Sequence, residues 1–459
     1  MIREKPQVMP SSHSFIRSVG VLMSGTVIAH SITALALPVL SRLYSPADFS
    51  VLAVFSGLLS VLSVAACLRF DIAIPIPDND TDAVNVLALA LNSALLVSVL
   101  IAIPLLLMPE TIANRLNQPI LQPYLWLLPP SVLLAASSSA LQSWFVRKKK
   151  FSLIASSRVS QSVGGTGTQV GLGFGGIAPL GLLVGYIMNT GAACIVLGYD
   201  LVRAKNRVLQ TISLPRMRAM AVAHHRFPKY STLESLSNSA AIQVPIIIIA
   251  AVAVGPEAGY LMMAISVMQA PMALVGVAVG QIYISQAPDE YRAGKLGDFT
   301  SEIVGRLLKA GIGPLLFAAI VSPVAFPFVF GEVWRQAGQL IVWMTPWFIM
   351  QFIASPISMA LHVIGHQRTA LYLQIFGLIT RVATVWIVGA LAVNWVAEAF
   401  AISGFVAYLA MLVVVLRAVS VRFEQLLQGV VKSLPHVLMW SVIGTGTVIV
   451  FHAIHRLIR

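Results

Sequence analysis

Apolar runs of about 20 residues, separated by short polar connections, recur from one end of the chain to the other. Each run is long enough to cross a hydrocarbon core of about 30 Å as a helix. The apolar residues are continuous within the runs and do not alternate with polar ones, which favours helices over the strands of a barrel. The pattern therefore predicts an all-α polytopic membrane protein.

The predicted helices divide into two sets of six around the longest polar connection. The twelve spans lie at about residues 18–40, 49–68, 83–108, 121–144, 152–174, 178–198, 230–253, 257–283, 302–326, 337–361, 369–392 and 395–417. We expect a tail at 1–17, an N-terminal lobe at 18–198, a basic loop at 199–229 and a C-terminal lobe at 230–417. The segment 418–459 contains a further apolar stretch at about 433–452, and the sequence leaves open whether it crosses.

The composition agrees with a membrane protein, because 58% of the residues are hydrophobic and only 10% are charged, against about 25% charged in soluble domains. A net charge of +13 would indicate nucleic-acid binding in a soluble protein. Here most of the 30 lysine and arginine residues fall on one side of the predicted spans. The positive-inside rule explains this bias and places the N-terminus in the cytoplasm.

These patterns predict a multi-pass membrane protein with no nucleic-acid partner. The first apolar run is too long for a cleaved signal peptide and should remain as a span. We interpret the densest basic run, at residues 147–150, as a topology determinant and a contact for anionic lipids.

Motifs for covalent chemistry are absent from the sequence, which has neither a P-loop nor a His-Glu-x-x-His pattern. Cys67 and Cys194 lie in separate predicted spans, where we interpret them as small apolar residues. Gly167, Gly171 and Gly175 recur every four residues, which predicts close helix packing or, alternatively, a flexible span beside a cavity. We expect no enzymatic activity and no cofactor.

Ionisable residues inside predicted spans are costly in lipid and indicate function. Arg158 lies about two turns into the fifth span, and Arg381 lies about 18 Å into the eleventh, near the midplane. His30 is similarly central in the first span, and Glu234, early in the seventh, is the clearest acid within a span. Arg158 could pair with a carbonyl or with Glu234. The excess of bases predicts a positive cavity, and arginine suits a diphosphate through forked hydrogen bonds.

The other basic candidates lie at span ends, where a simpler interpretation competes with binding. Arg42 and Arg69 end the first two spans at opposite faces, and Lys229 opens the seventh. Arg42 and Arg69, like Arg306 and Lys309 at the ninth span, could instead extend to lipid headgroups.

Several stretches resemble a single family in their order and spacing. They are LSRLYSPADF at 40–49, RFDIAIP at 69–75, WFVRKKKF at 144–151, SRVSQS at 157–162 and FPKY at 227–230, followed by Asn238 and Pro245. Over about residues 15–417 the chain is similar to bacterial polysaccharide-biosynthesis flippases. Ser50 departs from the family, which usually has glycine there. The apolar segment after residue 417 also departs, since many members stop after twelve spans.

The resemblance implies the two-lobed fold of multidrug and toxin extrusion transporters and alternating access around a central cavity. The implied substrate is an undecaprenyl-diphosphate-linked oligosaccharide repeat unit of O-antigen, capsule or exopolysaccharide, flipped to the periplasmic leaflet. Implied partners are this lipid-linked oligosaccharide, membrane lipids, a polysaccharide polymerase and a chain-length regulator. The candidate substrate-binding residues are Arg158, Arg381, Arg42, Arg69, Lys229, His30 and Asn238, and Glu234 is the candidate for coupling to H⁺ or Na⁺.

Three other functions fit the same helices less well. An ion-coupled multidrug antiporter of the same fold would need a carboxylate in the cavity, which the scarcity of acids within spans disfavours. A flippase for the peptidoglycan precursor would give an essential phenotype. A membrane-embedded glycosyltransferase or polymerase would need catalytic acids or a sugar-binding external loop, and the predicted external loops are short.

Overall fold

The structure of the chain is a computed structural model that describes residues 12–203, 207–253 and 255–458. The chain is 89% helical, and no strand occurs in the described part, which confirms the all-α prediction. The α-helices are α1 Ser12–Leu43, α2 Pro46–Ala66, α3 Phe70–Ala73, α4 Asp80–Leu107, α5 Pro109–Arg115, α6 Leu128–Arg147, α7 Phe151–Phe174, α8 Leu180–Arg203, α9 Leu214–Ala223, α10 Thr232–Val252, α11 Glu257–Arg292, α12 Leu296–Phe330, α13 Arg335–Ile357, α14 Ala360–Val363, α15 Gln367–Leu391, α16 Val396–Ala418 and α17 Phe423–Ile458.

Short segments of other helix types join several of these elements. Tight 3-10 turns occupy Pro119–Leu127, Arg207–Thr211, Glu332–Trp334 and Val393–Trp395, and a π-helical turn at Phe227–Ser231 precedes α10. By chain order the long helices divide into two groups of six, and α2 of the first packs extensively against α10 and α11 of the second. The N-terminal group consists of α1, α2, α4, α6, α7 and α8, and the C-terminal group of α10, α11, α12, α13, α15 and α16. The exact lobe boundaries and the tail at 1–17 stay predictions.

The two membrane faces differ in charge. We call the face where α6 ends and α7 begins the basic face, because Arg147, Lys148, Lys149 and Lys150 lie in this connection. We call the other the opposite face. Arg147 and Lys148 both pair with Asp80 at the start of α4, and Arg147 also donates to carbonyls of the 75–78 loop. The structure therefore gives part of this basic run a role in joining helices, besides the predicted topological one.

Eleven helices in the described chain are long and apolar enough to cross a membrane. α7, which coincides with the predicted fifth span, is not among these eleven. Five polar residues of α7 share one face and are buried against α1 and α8; they are Ser157, Gln161, Ser162, Thr166 and Gln169. The amides of Gln161 and Gln169 donate to carbonyls of α8, so much of the polarity of α7 is satisfied inside the protein.

The glycines that bring α7 close to its neighbours are not those that the sequence pattern indicated. Among the described residues, a Cβ at Gly167 or Gly171 would meet nothing within 4 Å, so the prediction that their stripe packs helices was wrong. The close approach occurs at Gly165, where a Cβ would lie 2.6 Å from the Cβ of Asn189 in α8, and at Gly173. The two glycines that do approach other helices are eight residues apart and lie on a different face of α7 from Gly167 and Gly171.

Tyr44, between α1 and α2, joins three helices at the opposite face. A Cβ added to Gly173 of α7 would lie 2.9 Å from the ring of Tyr44, so the two residues are in close contact. The hydroxyl of Tyr44 donates to the carbonyl of Gln169 at 2.6 Å. Burial, together with the nearby charge of Asp48, raises the pKa of Tyr44 to about 12. The phenol is therefore protonated at neutral pH and remains a hydrogen-bond donor.

The apolar segment near the C-terminus forms a long helix, α17, that runs parallel to α12. Gly429 lies against Gly305 and Leu308 near the basic face, and Phe328 and Phe451 meet edge to face near the opposite face with ring centres 5.3 Å apart. α17 therefore lies beside α12 through the whole apolar layer. Much of its surface is exposed, with Leu434, Leu438 and Val442 among its exposed apolar residues.

Candidate functional site

Arg158 lies in a polar contact between α7 and α1. A Cβ on Gly25 of α1 would lie 2.6 Å from the Cβ of Ala155, so these helices approach closely one turn before Arg158. The guanidinium donates to the hydroxyl of Thr26. One turn further along α7, Ser162 donates to the carbonyl of Ala29 at 2.7 Å. The side chain of Arg158 is partly exposed, about 10 Å into α7 from the basic face.

No acid neutralises Arg158 in the part of the chain that the structure describes. The ion pairs found there involve neither Arg158 nor Glu234. The alternative in which these two residues pair is therefore wrong for this conformation. His30, one turn beyond Thr26 on α1, is exposed. Arg158 and His30 thus place a cation and an imidazole along neighbouring helices on the basic half of the N-terminal group.

In the C-terminal group, α10 carries three of the predicted residues near the basic face. Glu234 and Asn238 are one turn apart on one side of α10, and both are exposed. Lys229 lies in the preceding π-helical turn, exposed, with its ammonium 5.3 Å from the ring centre of Tyr230. A carboxylate, an amide and an ammonium are therefore exposed near the basic-face end of α10.

Arg381 is buried inside the C-terminal group, where it is only 5% exposed. Its Cζ lies 5.5 Å from the ring centre of Trp347 in α13 and 5.2 Å from that of Tyr408 in α16, within the range of cation–π attraction. Its Nη1 donates to the carbonyl of Ala241 in α10 at 3.3 Å. Among the described residues its Nε has no partner. In this conformation Arg381 contacts aromatic rings and a carbonyl of its own group.

Arg69 lies close to an acid that sequence reasoning did not select. Its Nη1 is 3.9 Å from the carboxylate of Asp71, and Asp71 also accepts a hydrogen bond from Ser139 of α6 at 2.8 Å. Asp71 is 5% exposed. Within the described chain, Arg69 Nε and Asp71 Oδ1 are buried without a partner. The guanidinium of Arg69 is thus directed into the protein at the basic face, and the predicted headgroup contact does not describe it.

At the opposite face the two helix groups are joined by hydrogen bonds to helix ends. The hydroxyl of Ser50 in α2 donates to the carbonyl of Gly255 at 3.2 Å and accepts from the N–H of Gly259 at 2.8 Å. Gly259 lies in the first turn of α11, where backbone N–H groups have no partner within the helix. Pro256, at the N-cap of α11, provides no capping hydrogen bond. Ser50 therefore caps α11 from the other helix group.

The ends of three other helices are satisfied in the same way. Arg42, at the end of α1, donates to the carbonyl of Phe328 in the last turn of α12 at 3.0 Å. Trp334 Nε1 donates to the carbonyl of Ser41 in the last turn of α1 at 3.0 Å. The amides of Asn117 and Gln118 donate to the carbonyls of Ala251 and Ala250 at the end of α10, at 2.9 and 3.1 Å. We call this set, with Ser50, the opposite-face junction.

The structure thus distributes the predicted residues over different sites. Arg158 and His30 face the basic half from the N-terminal group, and Lys229, Glu234 and Asn238 face it from the C-terminal group. Arg42 belongs to the opposite-face junction, while Arg69 and Arg381 are directed into their own helix groups. Sequence reasoning missed Asp71, Trp334, Asn117 and Gln118, and it noted Ser50 only as a departure from the family. One signal in the sequence could have indicated the role of Ser50. The N-cap of α11 is Pro256, which cannot cap the helix, so a capping group has to come from another part of the chain.

Known proteins resemble this chain in sequence and in fold. The family described as polysaccharide biosynthesis protein matches residues 39–339. A search of curated proteins finds no match. Among solved structures, the lipid II flippase MurJ in an inward closed conformation is similar with a TM-score of 0.70 and 15% identity, covering 95% of this chain and 99% of that chain.

Two transporters of the MOP superfamily are also similar. An inward-facing multidrug resistance MATE family transporter gives a TM-score of 0.63 at 15% identity and covers 85% of this chain and 94% of that chain. A transporter from Pyrococcus furiosus, described as having a binding pocket of reverse polarity that suggests a different function, gives 0.56 at 15% identity, covering 88% and 96%. At these identities the similarity establishes the fold.

Proposed function

Because the chain belongs to the polysaccharide biosynthesis protein family, we propose that it flips an undecaprenyl-diphosphate-linked oligosaccharide repeat unit across the bacterial inner membrane. In this proposal the basic face is cytoplasmic, as the positive-inside rule predicts. The substrate enters from the cytoplasmic leaflet and leaves into the periplasmic leaflet. Transport needs no covalent chemistry. A polymerase and a chain-length regulator would act on the product at the periplasmic side.

The observation that carries the proposal is the position of Arg158. It is a partly buried cation on the basic half of the N-terminal group, with a hydroxyl partner and no ion pair in the described chain. A guanidinium whose charge is not neutralised favours an anion, and its forked geometry suits phosphate oxygens. We propose that Arg158 holds the diphosphate, with His30, Lys229 and Asn238 contacting the phosphate or the sugar, while the prenyl chain stays in lipid.

We assign the other predicted bases different roles within the same cycle. Arg381 holds α10 through the carbonyl of Ala241, so it positions the helix that carries Asn238 and Glu234. Arg42 belongs to the closure of the periplasmic face. Glu234 remains the candidate for coupling to H⁺ or Na⁺, because it is an exposed carboxylate on α10 and no ion pair of the described residues includes it.

The direct test is complementation of a deletion strain with Arg158→Gln, followed by separate measurement of lipid-linked oligosaccharide in the two leaflets. Removing the charge should weaken diphosphate binding by about 1.5–3 kcal/mol, the range for hydrogen bonds to charged groups. We expect surface polymer to fall by at least about tenfold, with intermediates retained in the cytoplasmic leaflet. Arg292→Gln, an exposed base at the end of α11, is the matched control and should complement fully.

Two outcomes would contradict this proposal in different ways. If Arg158→Gln complements as well as the wild type at equal protein level, Arg158 does not hold the substrate. If the deletion strain itself has normal lipid-linked oligosaccharide but becomes sensitive to drugs, the chain is an ion-coupled multidrug antiporter of the same fold, which is the alternative we consider.

A further inference from the structure

A cleft of about 390 Å³ lies between α12 and α17 at the basic face. It is formed where Gly429 of α17 meets Gly305 of α12, with 3.6 Å between the Cα of Gly305 and the position of a Cβ on Gly429. The side chains of Arg306, Lys309 and Lys432 line it. The cleft is separate from Arg158 and from the opposite-face junction, and one of its walls lies beyond the residues that match the family.

The cleft has a net positive charge because three bases and two acids line it. Glu302 pairs with Arg306 at 2.5 Å, and Asp298 accepts a hydrogen bond from the amide of Gln425 at 2.7 Å. In the described chain Lys309 and Lys432 take part in no ion pair. Two ammonium groups on different helices therefore remain available to one anion.

The position of these lysines corresponds to the lipid headgroup layer. Lys309 is 21 residues before the end of α12 at Phe330, which is about 32 Å along a helix and close to the thickness of the hydrocarbon core. Gly429 lies against Leu308, so Lys432, one turn further along α17, lies near the same level. An anion bound here would therefore lie at the surface of the bilayer.

We propose that this cleft binds the phosphodiester headgroup of an anionic phospholipid, which joins α17 to α12. Lys309 and Lys432 contact the phosphate from either side. Gln428, also in the cleft, offers an amide to the headgroup hydroxyls. The acyl chains extend along exposed apolar residues of α17 such as Leu434 and Leu438. Helix association in lipid gains little from the hydrophobic effect, so a bound headgroup adds substantially to the attachment of this peripheral helix.

The test uses the purified full-length chain in neutral detergent and measures its thermal unfolding with added phosphatidylglycerol, phosphatidylcholine or inorganic phosphate. Phosphatidylglycerol should raise the Tm at concentrations where the other two do not. A basic residue near an anionic headgroup contributes about 1 kcal/mol of binding free energy. Removing two should therefore lower the affinity about 30-fold. We therefore expect the affinity for phosphatidylglycerol to fall about 30-fold in Lys309→Gln/Lys432→Gln, and about fivefold in Lys432→Gln alone.

Lys295→Gln is the control, because Lys295 directly precedes α12, is exposed and does not line the cleft. It should bind phosphatidylglycerol as the wild type does. Equal responses to phosphatidylglycerol and phosphatidylcholine would overturn the proposal. So would retained affinity in the double variant, or an equal response to inorganic phosphate, which would indicate a site for free anions. None of these readouts depends on oligosaccharide transport.

Discussion

The two ends of the interface between the helix groups are held together by different kinds of contact. At the opposite face, Ser50, Arg42 and Trp334 bind backbone groups at the ends of α11, α12 and α1. Toward the basic face, the hydroxyls of Ser60 in α2 and Ser239 in α10 meet at 3.3 Å. The described conformation is therefore closed most firmly at the opposite face.

The difference indicates how the closed face can open again. A helix-end group that loses its partner remains unsatisfied if it is buried, but at a membrane surface water can replace the partner. Hydrogen bonds that exchange with water contribute only about 0.5–1.5 kcal/mol each. A closure built from helix ends is thus specific in its geometry and still reversible. Apolar contacts of equal area are less directional, so they would fix the relative position of the two helix groups less closely.

Gly259→Ala should have the largest effect on the balance between the closed and open states of the opposite face. A Cβ at this position would overlap the carbonyl oxygen of Pro46, so the first turn of α11 has to move away from α2. We expect the opposite face to open. A cysteine at the buried Ser41, in a background with Cys67 and Cys194 replaced by serine, should react with a maleimide about 5- to 150-fold faster, since overpacking typically costs about 1–3 kcal/mol.

Gly276→Ala, on the same helix, provides the control for that experiment. A Cβ there would meet nothing within 4 Å in the described part of the chain, and alanine favours helix by about 1 kcal/mol over glycine. Its labelling rate should match that of the parent. Equal rates for the Gly259 and Gly276 variants would show that the close approach of α11 and α2 does not control the closure.

Ser50→Ala should have the next largest effect. It leaves the N–H of Gly259 and the carbonyl of Gly255 without their partner, a loss of about 2 kcal/mol for two hydrogen bonds. The ratio of open to closed protein should then rise up to about 30-fold, read from the same maleimide reaction. Ser63→Ala is the control, because that hydroxyl bonds only within α2, to the carbonyl of Leu59. If both variants label alike, Ser50 is not part of the closure.

Ser60→Ala should have the smallest effect and should act at the other end of the interface. The long bond to Ser239 should contribute about 0.5 kcal/mol, the low end of the range for hydrogen bonds, so the equilibrium should change by about twofold. Losing it separates the groups at the basic face and leaves the opposite-face junction intact. Labelling at Ser41 should therefore be unchanged or slower, and faster labelling would contradict the division between the two ends.

The sequence was sufficient to predict the helices because their signal is local. Apolar runs of span length define most of the long helices, including α17, whose crossing the pattern alone left open. The pattern was weaker for α7, because its polarity is satisfied by α1 and α8 and only the packed structure shows which residues do so. The glycine pattern failed for a similar reason, since a four-residue period cannot tell whether Gly165 or Gly167 faces a neighbour.

The site was less predictable because its contacts join residues far apart in the chain. The depth of Arg158 could be inferred from its position in a span, but its partner Thr26 could not. Arg381 was correctly judged unsuited to lipid, yet Trp347 and Tyr408, which surround it, lie on other helices. The role of Ser50 was also invisible from its own surroundings. It depends on a helix start more than 200 residues later that has no cap of its own.

The polar face of α7 has a consequence for how the chain is made. A segment carrying Arg158, Gln161 and Gln169 would enter the bilayer poorly by itself, because an arginine at depth costs about 2.5–3.5 kcal/mol on insertion scales. Its glutamine amides are satisfied by carbonyls of α8, which is synthesised afterwards. We therefore expect α7 to wait at the translocon until α8 has emerged, so that the two helices leave it together as a hairpin.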